Sequence, residues 1–239
     1  MVCDQRQTSE SGQAIVETAL TLPLTIFLVL GTLQLFMLFQ GRAMAQYAVA
    51  RSTRAGSLKS GACAPMLHTA IAALLPTFTR TRTADELAAA FGARSGGLYE
   101  PGQDSGRNES IVWLIRESPT VRPNEEEEFD LASASPQTLG VRLVFWYPLR
   151  IPFVNWVLSA IILANFGLRN YTRVNPLLVT QSKSNWDGTA KLDPRLVPEL
   201  MKRADARHYV APIVVTYSMR MMTPARAKNF ASAVCPPYP

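Results

Sequence analysis

A run of uncharged, mostly apolar residues from Thr18 to Phe39 limits what this chain can fold into more than any other stretch. As a helix, Ala19 to Phe39 would be about 31 Å long, enough to cross the hydrocarbon core of a bilayer. Gly12, Gln13, Ala14, Ile15, Val16 and Glu17 stand directly before it, so a carboxylate lies at the head of the apolar helix. A charge in that setting is expensive without a partner and marks a functional position by default. One helix is therefore expected to carry both an anchor and an acid in need of a counter-charge. A cleaved secretory signal is the competing reading, because Ala43-Met44-Ala45 has the small-residue pattern of a signal-peptidase site. Such signals combine a basic start with an apolar core of about 7 to 15 residues. Here the run is longer, and the first twelve residues set Arg6 against Asp4 and Glu10. Arg42, Arg51 and Arg54 follow the span, and the positive-inside rule alone would hold them in the cytoplasm. Long downstream domains, however, cross the membrane largely regardless of charge.

Glycine, four residues, then glutamate at the head of an apolar helix resembles the processing site of type IV prepilins. The continuation Gly12-Gln-Ala-Ile-Val-Glu17-Thr-Ala-Leu-Thr-Leu-Pro23 resembles the TadE-like pseudopilins of the tight-adherence (Flp) pilus system. Thr18 stands where Flp-type pilins usually carry an aromatic residue. Two further stretches are similar to that family: Ala48 to Gly56, rich in Ala and Arg, and Tyr147-Pro148-Leu149-Arg150-Ile151-Pro152-Phe153-Val154. The resemblance implies cleavage between Gly12 and Gln13 by a membrane prepilin peptidase. It also implies an amino end held inside, and a role for Glu17 in subunit assembly. The amine of Gln13 and Glu17 of a neighbouring chain would neutralise each other at low dielectric, and Gly31 and Ala19 would not hinder close helix packing. The implied partners are the peptidase, other pseudopilins, the major pilin, the inner-membrane assembly platform and the lipid bilayer. Major Flp-type pilins are little more than the helix, so a large exported domain points to a minor, priming or tip-like subunit.

About two hundred residues follow the anchor, enough to bury one core, and they show no repeats. The formal charge is +6, and it becomes +7 once Arg6, Asp4 and Glu10 are lost with the leader. The basic residues are scattered without interleaved aromatics, so no nucleic-acid partner is expected. Cys3 lies in the leader, which leaves Cys63 and Cys235 as a possible disulfide in an oxidising compartment. That bridge would close a loop of about 170 residues and contribute roughly 5 kcal/mol on the chain-entropy model. Two unrelated buried thiols are the alternative, and the spacing does not suit zinc.

Along the exported part, the first helix is expected to continue through Ala43, Gln46, Tyr47, Ala50 and Arg54 and to end near Gly56. A second helix follows Pro65 to Leu75. A third starts at a capping box of Thr83 and Glu86 and stops at Gly92. Residues 95–140 are polar, with one strand at Ile111 to Ile115. The acidic run Glu125 to Glu128 with Asp130 reads as a solvated loop, because calcium sites need alternating ligands and a sharp turn. Asn108-Glu109-Ser110 and Asn170-Tyr171-Thr172 match the short glycosylation pattern, which arises often by chance. Val141 to Tyr147 reads as a strand. Ile151 to Leu168 is uncharged, but Pro152, Asn155, Asn165 and Gly167 leave only Trp156 to Ala164 continuously apolar. A buried or membrane-surface helix is expected there in preference to a second span, with Trp146 and Trp156 suited to an interface. A last helix is expected from Asp193 or Pro198 to about Arg207. After Pro212, Ile213, Val215, Tyr217, Met219 and Met221 alternate with Val214, Thr216, Ser218 and Arg220 as a strand with one buried side.

The expected fold is therefore α+β: a leader over 1–12, a transmembrane helix over 13–40, and a periplasmic domain over 41–239. That domain would hold a small antiparallel sheet, several helices and a polar loop region at about 95–140. His68 and His208 have no neighbouring pattern that names a mechanism, and there is no metal-ligand cluster, phosphate loop or nucleophile elbow. No enzymatic activity, cofactor or metal is expected. The resemblance implies a minor pseudopilin of the bacterial inner membrane that initiates or regulates assembly of Flp-type pili for surface adherence and can enter the pilus. The alternative is a signal-anchored periplasmic binding or envelope-enzyme domain unrelated to pili.

Overall fold

The computed structural model of the chain describes residues 7–79, 81–94, 98–99, 109–120, 137–168, 171–174, 181–184 and 193–235. The architecture is α+β, led by a helix α1 of 52 residues, Gln7–Leu58. Two compact units are present, Met1–Leu38 with Leu149–Met201, and Phe39–Pro148 with Lys202–Pro239. The acidic run Glu125 to Glu128 with Asp130 lies outside the described residues, as do Asn108 and Asn170 of the two sequons.

The larger unit is built on an antiparallel sheet in the order β7-β4-β3-β8, comprising β3 (Val112–Ser118), β4 (Thr138–Pro148), β7 (Val210–Arg220) and β8 (Val234–Cys235). Leu114 stands opposite Leu143, and Leu143 opposite Val215. Because side chains alternate along a strand, Leu139, Val141, Leu143, Phe145 and Tyr147 share one face of β4, and all are buried. The second half of α1 covers that face. A Cβ at Gly41 would meet the Tyr147 ring at 2.6 Å, and one at Gly56 would meet Leu139 and Met66 at 2.7 Å. Gly41, Ala45, Ala48, Ser52 and Gly56 are buried at intervals of three or four residues, so a stripe of small side chains brings the helix backbone close to the sheet. The pattern Ala43, Gln46, Tyr47 and Arg54 is the exposed face of the same helix, so those residues extend it without packing it.

The opposite face of β4 carries Trp146, which meets Trp113 edge-on with ring centroids 5.2 Å apart. The Arg203 guanidinium lies 4.5 Å over the Trp146 ring and donates to the Ser110 carbonyl at 2.9 Å. Trp146 is thus a core residue. The expected interface position is corrected because β4 is central and covered on both sides. On the edge strand β7, Ile213 and Val215 are buried and Val214, Thr216 and Ser218 exposed, as alternation requires, although Tyr217 is also exposed. Pro212 is tolerated there because an edge strand has no second ladder to complete.

Three helices extend this unit. Helix α2 (Cys63–Phe78) packs on β3 and β8, with Met66, Leu67, Ala70, Ile71, Leu74, Leu75 and Phe78 buried. Helix α3 (Ala84–Arg94) lies beside α2, and the Glu86 N–H donates to Thr83 Oγ1 at 3.2 Å while Glu86 Oε2 accepts from the Arg82 N–H. It runs through Gly92, which was expected to stop it. A two-residue pair, β1 (Leu98–Tyr99) with β2 (Glu109–Ser110), precedes β3. Helix α5 (Leu196–Asp205) ends in this unit and leads into β7.

The smaller unit holds the first part of α1, helix α4 (Val154–Asn165) and the antiparallel pair β5 (Tyr171–Val174) with β6 (Gln181–Ser184). With 12 residues, α4 is about 18 Å long, too short to cross a membrane. That removes the two-span reading.

Candidate assembly site on the anchoring helix

Gly12 and Gln13 both lie within α1, as does Glu17. Gln13 and Glu17 are four positions apart and therefore share a helix face. The Glu17 side chain is exposed, between the exposed Ile15, Val16 and Leu20, and pairs with no other described residue. The threonines of this half turn their hydroxyls back onto the helix. Thr18 Oγ1 donates to the Ile15 carbonyl at 2.9 Å, Thr21 Oγ1 to Glu17 at 2.9 Å and Thr25 Oγ1 to Leu22 at 2.8 Å. Such back-bonding satisfies polar groups that lipid cannot. Glu17 is thus a carboxylate on a surface that is otherwise apolar or internally satisfied. The window of α1 that could span a bilayer is only 6% buried, so this half of the helix is free to face lipid or other helices.

At the far end of α1, the chain is held by covalent and polar ties. Cys63 and Cys235 form a disulfide, with Cα atoms 5.3 Å apart and a sequence separation of 172. Beside it, Arg116 Nη1 donates to the Gly61 carbonyl at 2.7 Å, and its guanidinium also donates to the carbonyls of Asn229 and Ser232. The Phe230 ring lies 4.8 Å from its Cζ. Burial pushes the Arg116 guanidinium below its ordinary pKa. The Ser57 carbonyl accepts from the N–H groups of Met222 and Thr223, and Thr223 Oγ1 accepts from the Ser60 N–H. The end of α1 and the C-terminal segment are thereby locked to one another.

His68 is exposed and meets Phe91 edge-on at 5.8 Å, while His208 follows α5. Among the described residues, no group of His, Cys, Asp and Glu is placed to hold a metal ion. Sequence reasoning missed Arg116 and the small-residue stripe, and it passed over Gln34, a fully buried amide on α1. An isolated amide within the uncharged run from Thr18 to Phe39 was a usable signal for the last of these.

An apolar amino-terminal helix with the length of a single-pass anchor, continuing into a small antiparallel sheet with further helices, defines the class: an α+β protein with a candidate membrane span. Residues 12–54 match the family model of TadE-like protein, a stretch that begins at Gly12 and ends four residues before the close of α1. That match, over less than half of the chain, points to a role associated with Tad/Flp pili. No curated protein and no solved structure matches the chain.

Proposed function

We propose that this chain is a minor pseudopilin: a non-enzymatic subunit cut after Gly12 and anchored in the bacterial inner membrane by α1. Its residues 41–239 lie in the periplasm, and it initiates or regulates assembly of Flp-type pili. The observation that carries this reading is the exposed Glu17 on the bare half of a helix whose other half is built into the sheet. After cleavage, Gln13 would open the helix, and its new amine, at the positive end of the helix dipole, would be the natural counter-charge for Glu17 of a neighbour. Prepilin peptidase, other pseudopilins, the major pilin and the inner-membrane assembly platform are the partners this implies.

The architecture also weighs against release by signal peptidase. A cut after Ala45 would sever α1 inside its buried stripe and remove Gly41 and Ala45 from the sheet. The test is genetic: delete the gene in its native host and count pili by electron microscopy. We expect piliation to fall at least tenfold, with recovery by the wild-type gene and not by Glu17→Ala expressed at the same level. Full recovery by Glu17→Ala would remove the assembly role of that carboxylate, and unchanged piliation on deletion would remove the pilus role itself.

A further inference from the structure

We propose that residues 151–168 form a second membrane contact, a re-entrant segment that follows the exposed Arg150 and is seated in the leaflet through which α1 leaves the bilayer. Its occupant is lipid acyl chain. The inference rests on α1 crossing a bilayer and is independent of the pilus role. The Ile151 N–H donates to Gln34 Oε1 at 2.9 Å, and Gln34 is fully buried. Gln34 stands eight residues before Arg42, the first charge after the span, so it lies about 12 Å below that charge along the helix. Ile151 is tied to α1 at a level that belongs to the apolar part of the span. A backbone N–H at that depth has no water to bond and needs a protein acceptor, which Gln34 supplies.

Other N–H groups of the segment are paired as well. The Val154 N–H donates to the Pro152 carbonyl at 2.8 Å and the Asn155 N–H to Ile151 at 2.9 Å. At the other end the N–H groups of Phe166, Gly167 and Leu168 donate to Ile162, Ala164 and Leu163, with Gly167 in the left-handed conformation that closes the helix. No charged residue occurs from Ile151 to Leu168, yet Phe153, Trp156 and Ile161 are 79%, 56% and 55% exposed. A helix exposed to water ordinarily presents charged or polar side chains on that face. Phe153 and Trp156 stand at the amino-terminal turn, where the chain passes Gln34. Phe153 also holds a positive φ of 65°, a conformation bulky residues rarely adopt. Leu33, Leu35 and Phe36, which flank Gln34 in sequence on α1, are exposed apolar side chains too, and lipid is the matching surface for both sets.

The experiment uses the full chain reconstituted in phosphatidylcholine vesicles whose acyl chains carry bromine at a series of depths. Trp113, Trp146 and Trp186 are common to both proteins, so the difference in emission quenching between wild type and Trp156→Phe isolates Trp156. Non-reducing gels showing the intact disulfide confirm that the variant is folded. We expect at least a twofold larger bromine quenching in wild type than in Trp156→Phe, strongest for bromines part-way down the acyl chain, at the depth of Gln34. Co-flotation with vesicles but equal quenching of the two proteins would overturn the proposal while leaving α1 as an anchor. Shielding of Trp156 from both bromine and aqueous iodide, together with a dimer, would also overturn it by showing that a second copy covers this face. Failure to float with vesicles would overturn the anchor itself.

Discussion

Arg116 joins three separate stretches of chain through one planar cation, accepting no hydrogen bond and donating to Gly61, Asn229 and Ser232. Its ordinary pKa is far above neutrality, so burial lowers the value without discharging it at physiological pH. Arg116→Met would leave those carbonyls without their charged donor and should destabilise the fold by about 2–4 kcal/mol, read as a lower urea midpoint of the detergent-solubilised protein. Arg116→Lys should fall between the two, because an ammonium cannot reproduce the fork. Glycines divide in the same way by what surrounds them. At Gly56 a Cβ would press on Leu139 and Met66, both fully buried, whereas at Gly92 it would meet nothing within 4 Å. Gly56→Ala should therefore lose about 1 kcal/mol net, overpacking outweighing the helix-propensity gain, while Gly92→Ala should be neutral or gain up to about 1 kcal/mol. Thermal melts of the two variants side by side check the contrast. Neither effect is legible in the sequence, where the two glycines look alike, because the difference lies in atoms brought from elsewhere in the chain.

Helix α1 has a bare apolar half and a half packed on the sheet, and the sequence shows that division in two different ways. The span is legible because lipid selects against charge in every residue it touches, which leaves a continuous signal from Thr18 to Phe39. The packed half is only partly legible. Its helical character is written in its alanines, but its buried face is made of the smallest side chains, so a hydrophobic pattern picks out the wrong face. Among the strands, β7 shows alternation because one side is wet for most of its length, while β4 does not, because both sides are covered. Strand β8 has two residues and owes its place to the neighbouring disulfide and to Arg116, which no local pattern encodes. Trp146 shows the same limit from another side. An aromatic next to a Pro-containing apolar stretch suits an interface by composition, and only the register of β4 against β3 places it beside Trp113.

The bridge from Cys63 to Cys235 closes most of the chain after α1 into one loop, and the residues it joins lie in the unit that contains the sheet. Closing a loop of that length restricts the unfolded chain by roughly 5 kcal/mol on the entropy model, with less expected in practice. Cys63→Ser should therefore lower the thermal midpoint in detergent by several degrees or more, and a reducing agent should lower the wild type by a similar amount. If the chain is exported, the bond forms in the compartment that favours it. The proposed processing site rests on a local pattern, a glycine and a glutamate at fixed spacing before an apolar run. The central claim is that α1 ends at Gln13 in the working protein. It is tested most directly by the amino-terminal sequence and intact mass of the chain from native membranes, with and without the prepilin peptidase. The account predicts a mature chain beginning at Gln13 that reverts to the uncut form when the peptidase is absent. A chain beginning at Gln46, or one that keeps its leader while the peptidase is active, would contradict it.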